Sequence, residues 1–318
     1  MDRLLDILET AADGDRNGRP VALCAIVATR GSSPQPAGTL VCVDEDANMT
    51  GTLGGGCMEA EVRNRARAAL VGGTGGVATF DLDFTHGLDE GMICGGHVDV
   101  AISVVGTDEA RRACREAADS LRAGRPARLP LRVETTDEPV EYVIHLEAQP
   151  KLLIAGGGHI GKRLAGLMAD LDFAVTVIDD RQEYANPGRF PPPIVPVVGD
   201  IEAVLSGWPI DTRTYVVIVT RGHQRDERAL AAVVHSPACY VGMIGSRRKI
   251  DVVFNDLRQC GVTDDALARV YAPIGLDIHA VTPGEIAVSI AAQLVRVRRQ
   301  RRPAAVEGPF SALTSPRS

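Results

Sequence analysis

Apolar positions fall into two textures along the chain. Over residues 1–13, Leu4, Leu5, Ile7 and Leu8 sit among Asp2, Asp6 and Glu9 at a spacing that predicts an amphipathic helix. Residues 21–29 are apolar and β-branched and predict a strand. Residues 30–38 are dense in Gly, Ser and Pro and read as a loop, 39–43 as a second strand, and the polar stretch 44–48 as a turn leading back toward Thr50. Ala, Arg and Glu at helical spacing predict a helix over 58–71, ended by the glycines of 72–76. Strands follow at 77–82, 97–105 and near 128–134 and 140–146. A helix over 108–122 takes Thr107 as its N-cap, and the polar, glycine-containing stretch 83–96 reads as a long loop.

The texture changes after 147–150. Short apolar strands at 151–155, 174–178, 194–198, 215–219 and 239–243 alternate with segments of helical composition, and a last helix over 282–299 has Pro283 at its start. Strands alternating with helices imply a parallel sheet covered on both faces. The fold class is therefore α/β. An N-terminal α+β domain over 1–148 is followed by a Rossmann-like, doubly wound parallel-sheet domain over 149–300. The tail 301–318, rich in Pro, Ser and Arg, reads as disordered.

Within the second half, Gly156, Gly158 and Gly161 form a G-x-G-x-x-G turn between a strand and a helix. Asp179 ends the next strand, where an acid reaches a ribose hydroxyl. That context defines the fold; the occupant stays open between NAD(P), another nucleotide and none. Further polar residues follow strand ends, where this fold places ligands: His159 in the turn, Arg181 after Asp179, and His223. Arg247 and Arg248, with Lys249, open a helix. Cations at a helix start suit a phosphate, although a solvated basic turn has the same composition. Asp226 and Glu285 read as a solvated acid and a helix-start acid.

In the first half, Gly54, Gly55 and Gly56 precede Cys57 and a helix. Free N–H groups there would cradle an anion and favour a thiolate. A tight strand-to-helix turn with a small buried residue fits the same letters. Arg30, Ser32 and Ser33 suit an anion with several oxygens, or a polar hairpin connection. Cys94 stands beside Gly95 and Gly96 in a second glycine-lined setting. Cys24 and Cys42 lie in strand patterns, and Cys114, Cys239 and Cys260 read as structural. One or two thiolates in glycine turns suit a soft metal or sulfur transfer better than calcium or zinc.

Bulk properties narrow the classes. The 318 residues are 45% hydrophobic and 24% charged, ordinary for a globular protein of two domains. A net charge of −7 argues against nucleic-acid binding. No apolar run is long enough to span a membrane, and the acids of the first helix are unlike a signal peptide. The seven cysteines are scattered without a C-x-x-C pair, which argues against a disulfide framework and points to a reducing cytoplasm. Dimers are the commonest soluble oligomers, so a homodimer is the default expectation.

Three stretches together resemble the XdhC/CoxI family: residues 29–34, residues 51–59 around Cys57, and Cys94-Gly95-Gly96. In the second half 156–161, 177–181, 220–223, 240–249 and 273–277 are similar to that family's Rossmann domain. Gly157 and His279 are small departures from its pattern. The resemblance implies a maturation factor that binds molybdenum cofactor (molybdopterin), supports its sulfuration and inserts it into an apo molybdenum hydroxylase such as xanthine dehydrogenase. A cysteine desulfurase would be a second partner. It implies that Cys57 contacts the molybdenum end, with Cys94 nearby and Arg30, Ser32 and Ser33 on polar atoms, in a holder more than an enzyme with its own turnover. Three competing readings remain: an NAD(P)-dependent oxidoreductase using Cys57 or His159, an enzyme modifying the cofactor's phosphate or nucleotide end, and a structural partner with an empty Rossmann pocket.

Overall fold

Strand β1 (Val21–Arg30) is buried on both faces for most of its length and organises the first half of the chain. Its alternate side chains serve two cores: Ala22, Cys24 and Ile26 point to one, Leu23, Ala25 and Val27 to the other. The computed structural model describes residues 2–82, 96–135, 138–301 and 304–309. The chain divides into one unit of residues 1–148 with 303–318 and a second of residues 149–302.

In the first unit, α1 (Asp2–Asp13) precedes β1, β2 (Leu40–Val43) and β3 (Met49–Thr50); α2 (Gly56–Gly72), β4 (Gly76–Asp81) and β5 (His97–Val105) follow. The five strands form an antiparallel sheet in the order β3-β2-β1-β5-β4. Helix α2 covers one face through Met58, Val62, Ala66 and Ala69, a stripe at helical spacing. The other face is packed by α1, by α3 (Asp108–Arg122) and by β6 (Ala127–Val133) and β7 (Val140–Leu146), which send Leu129, Leu131, Tyr142 and Ile144 into the same core. Thr107 caps α3, its hydroxyl accepting from the Ala110 N–H.

The second unit holds a six-stranded parallel sheet. Its elements are β8 (Lys151–Ala155), α4 (His159–Asp170), β9 (Ala174–Asp179), β10 (Val195–Val198), α5 (Ile201–Gly207), β11 (Thr214–Ile218) and α6 (His223–Val233). Then come β12 (Tyr240–Met243), α7 (Arg247–Gln259), α8 (Asp264–Ala268), β13 (Val270–Tyr271) and α9 (Pro283–Arg301). The strand order β10-β9-β8-β11-β12-β13 is doubly wound. Helices α4 and α9 cover one face, and α5, α6, α7 and α8 the other. The short elements α8 and β13 have no counterpart in the sequence reading, being too brief to show a period.

The tail differs from its expected disorder at one point. Val306–Glu307 forms β14 and pairs with β7 in the first unit. Val306 is buried, and Glu307 meets Arg128 at 2.9 Å and His145 at 2.7 Å. Two residues are too few for an apolar pattern to announce the strand. Residues 310–318 lie outside the described residues.

At the start of the parallel sheet, Asp211 accepts from Lys151 Nζ at 3.0 Å and Arg213 Nη2 at 2.8 Å. Burial pushes this carboxyl up. Lys151, the Arg213 N–H and Thr214 outweigh it and hold the group at about 2, below its ordinary 3.8. A depressed folded value adds stability that is fully present above the unfolded value and lost as pH falls through the folded one. The stability gap between the natural chain and Asp211→Asn should therefore shrink as pH falls from about 5 to about 2. Urea unfolding of both chains across that window checks this; a constant or widening gap contradicts it.

Candidate functional site

Strand β1 delivers Arg30, exposed, to the end of the antiparallel sheet, in register with His97 of β5. The loop after it touches two glycines. Gly54 has a φ of 110°, and a Cβ there would lie 2.5 Å from Pro34 Cβ. A Cβ on Gly96 would overlap the Ser32 carbonyl and lie 3.1 Å from Arg30 O. The Arg30–Pro34 stretch thus bridges the turn before Cys57 and the end of the Cys94-Gly95-Gly96 motif. Cys94 itself lies outside the described residues. Ser33 Oγ donates to Gln35 O at 2.7 Å and shapes the loop. Among the described residues, the Arg30 and Ser32 side chains have no hydrogen-bond or ion-pair partner.

Helix α2 begins at Gly56 behind the N-cap Gly55, which puts Cys57 in its first turn, exposed. The turn before it differs from the expected open cradle. Glu59 Oε2 accepts from Leu53 N at 3.1 Å, Gly55 N at 3.1 Å and Thr52 Oγ1 at 2.9 Å. Thr52 Oγ1 in turn accepts from Gly54 N at 3.1 Å. Two N–H groups of this turn, those of Leu53 and Gly55, thus already face a carboxylate of the chain itself. Glu59 was missed because an acid in a helix's first turn ordinarily signals only the helix dipole.

Exposure sets Cys57 apart from most of its counterparts. Burial pushes the thiol of Cys24 up, that of Cys42 to about 12 and that of Cys114 to about 11, so these stay protonated and inert. Cys239 is half-buried, its thiol also pushed up by burial. Cys260 differs from its structural reading: it is exposed at the C-terminal end of α7. Among the described residues no three His, Cys, Asp or Glu side chains are placed to share a metal ion.

In the second unit the glycine turn is tightly covered. A Cβ on Gly161 would overlap Gly156 O, and one on Gly157 would overlap Tyr184 O. Asp179, only 2% exposed, is fully engaged. It accepts from Gly157 N at 2.9 Å, from Arg181 Nε at 2.9 Å, and from Arg181 N and Nη2 at 3.1 Å. Burial raises this carboxyl, but Arg181 and the Gly157 N–H outweigh it and hold it below the usual range. A ribose hydroxyl would have to compete with Arg181, which also stacks on Tyr184 at 3.5 Å. Arg189 donates to Gly157 O and lies over the same ring.

His159, exposed beside Gly158, opens a groove of about 810 Å³ with Arg163, Leu167, Ile278, Thr282 and Val288. His223, Arg247 and Arg248 are exposed in the first turns of α6 and α7. Lys249 departs from them. It turns inward to Asp226, which is fully buried and also accepts from Thr220 Oγ1 at 2.6 Å. Asp226 is thus no solvated acid. Burial pushes it up, against Lys249 and Thr220. Its partners come from two other elements, so no local sequence signal marked it. Glu285 does serve a helix start, accepting from Val281 N and Thr282 N at 2.8 Å.

These features define a two-unit protein: an antiparallel-sheet unit presenting a cysteine at a helix start, and a Rossmann-type unit. The XdhC Rossmann domain model matches residues 152–294, and the XdhC and CoxI family model matches residues 15–81. The chain belongs to the XdhC/CoxI family. It is 28% identical over 300 residues to the uncharacterized protein YqeB of Escherichia coli (strain K12), covering 92% of this chain and 46% of that one. The chain thus spans about half the length of YqeB. It is 24% identical to a probable xanthine dehydrogenase subunit of Bacillus subtilis (strain 168), over 87% of this chain and 93% of that one. It is 22% identical to the molybdenum cofactor insertion chaperone PaoD of Escherichia coli (strain K12), over 92% and 88%. A crystal structure described as a xanthine dehydrogenase from Bacillus halodurans shares the fold, with a TM-score of 0.76, 24% identity and coverage of 98% and 99%. No helix among the described residues is long and apolar enough to cross a membrane.

Proposed function

We propose that this chain is a maturation factor for a molybdenum hydroxylase of the xanthine dehydrogenase type. It binds molybdenum cofactor as cargo, supports its sulfuration and inserts it into the apo-enzyme. The observation that carries this reading is the exposure of Cys57 where the Arg30–Pro34 loop meets the Gly54 turn. A soft sulfur on a rigid turn suits the molybdenum end of the cargo. Arg30 and Ser32, with side chains unpaired among the described residues, are the polar contacts beside it, and Cys94 is a further contact. The kinship with PaoD supports the same role.

In the second unit, Gly156, Gly158, His159, Gly161, His223, Arg247 and Arg248 would receive a phosphate-bearing, nucleotide-like ligand, with Asp179 and Arg181 shaping the turn. A cysteine desulfurase, a second copy of the chain and a cytoplasmic setting complete the reading. The oxidoreductase alternative has no observation of its own in favour, since the ribose acid it needs is engaged by Arg181 and Gly157. A transfer assay tests the role: cofactor-loaded chain mixed with apo-hydroxylase should raise hydroxylase activity well above free cofactor. Equal activation by free cofactor would sink the insertion role.

A further inference from the structure

The glycine turn before Cys57 is a nest for an anion, and the chain fills it from within. Leu53 N, Gly55 N and the Thr52 hydroxyl converge on one oxygen of Glu59. The other oxygen faces Arg63 Nη2 at 3.4 Å. Arg63 Nε is buried with no hydrogen-bond partner among the described residues, while this side chain as a whole is 38% exposed and its Nη2 faces Glu59. The Glu59 side chain is only 17% exposed. Gly54, Gly55 and Gly56 all have positive φ, a conformation with no side chain of its own to hold it. The carboxylate reaching back from the next helical turn holds Gly55 directly and Gly54 through Thr52 Oγ1, and Cys57 follows two residues after Gly55.

We propose that Glu59 is a positioning residue for Cys57. Its carboxylate is a built-in anion that locks the turn, sets the direction in which the thiol is presented, and keeps an incoming phosphate out of this nest. The phosphate of any cargo held by Cys57 is accordingly bound outside the nest formed by Leu53 N, Gly55 N and the Thr52 hydroxyl. The positioning role rests on the reading that Cys57 contacts the cofactor; the filled nest does not.

The test uses the full chain and its variants Glu59→Ala, Glu59→Gln and Cys57→Ala. Amide hydrogen exchange at Leu53 and Gly55 reads the nest without any cofactor. Glu59→Ala should speed exchange there by about tenfold or more. Acetate or inorganic phosphate should restore protection, while chloride at equal ionic strength should not, and neither anion should change the natural chain. Glu59→Gln, which keeps an acceptor oxygen but no charge, should give intermediate exchange and also serves if Glu59→Ala fails to fold. Natural exchange rates in both variants, or no response to acetate, overturn the proposal. Retained molybdenum is the second readout: Glu59→Ala should lose it to the extent that Cys57→Ala does and regain it in acetate. Full retention in Glu59→Ala with loss in Cys57→Ala overturns the positioning role and leaves the cofactor reading standing. Full retention in Cys57→Ala sinks both, while exchange still reports the nest.

Discussion

Cys57→Ala is expected to lower the molybdenum retained by the chain at least about tenfold, which corresponds to about 1.4 kcal/mol of binding. It should leave the unfolding midpoint in place. The reason lies in exposure. The Cys57 side chain packs in no core, so its loss removes a sulfur and little else. Cys24, Cys42 and Cys114 are the reverse case: their thiols are buried and protonated, and replacing them perturbs packing without touching a ligand. Cys260→Ala is the matched control, because that thiol is also exposed but lies in the second unit. Metal analysis of the three chains, purified in parallel from a host that makes the cofactor, decides the matter. Equal retention in Cys57→Ala and the natural chain, or a loss in Cys260→Ala of the same size, contradicts the assignment.

Gly161→Val should destabilise the second unit by about 3 kcal/mol or more. A Cβ at this position would overlap the carbonyl oxygen of Gly156; the backbone fixes the direction of the first and the second is backbone itself, so neither can rotate away. The close approach is what lets α4 pack directly behind the glycine turn. The neighbouring Lys162 is exposed, so Lys162→Ala should shift stability by no more than about 0.5 kcal/mol. The chain's single tryptophan, Trp208, packs against the core under α5 and reports unfolding of this unit by its fluorescence. Coincident urea curves for Gly161→Val and the natural chain would remove the argument.

Much of this architecture was legible because its signals are local and repeated. The βα alternation after residue 150, the turn at Gly156, Gly158 and Gly161, and the strand over 21–29 all follow from period and composition. What escaped depends on partners distant in sequence or on elements too short to show a period. Asp226 reads as a surface acid until Thr220 and Lys249 fold over it. Val306 becomes a strand residue only because Ile144 offers an edge. Cys260 is exposed where a helix ends, which composition does not reveal. The glycine turn is the instructive case. Its letters describe an anion nest correctly, yet the anion is Glu59, a few residues along the same chain. The motif residues of the first unit were named from sequence, but their meeting through Pro34 and Gly54, and through Ser32 and Gly96, needed the fold.

In the proposed role the natural chain carries molybdenum cofactor. The most direct test is molybdenum and pterin analysis of the full chain purified without oxygen from a cofactor-producing host. Molybdenum and an oxidisable, fluorescent pterin are expected in equal amounts, approaching one of each per chain. Protein that emerges folded and free of both would contradict the proposed role.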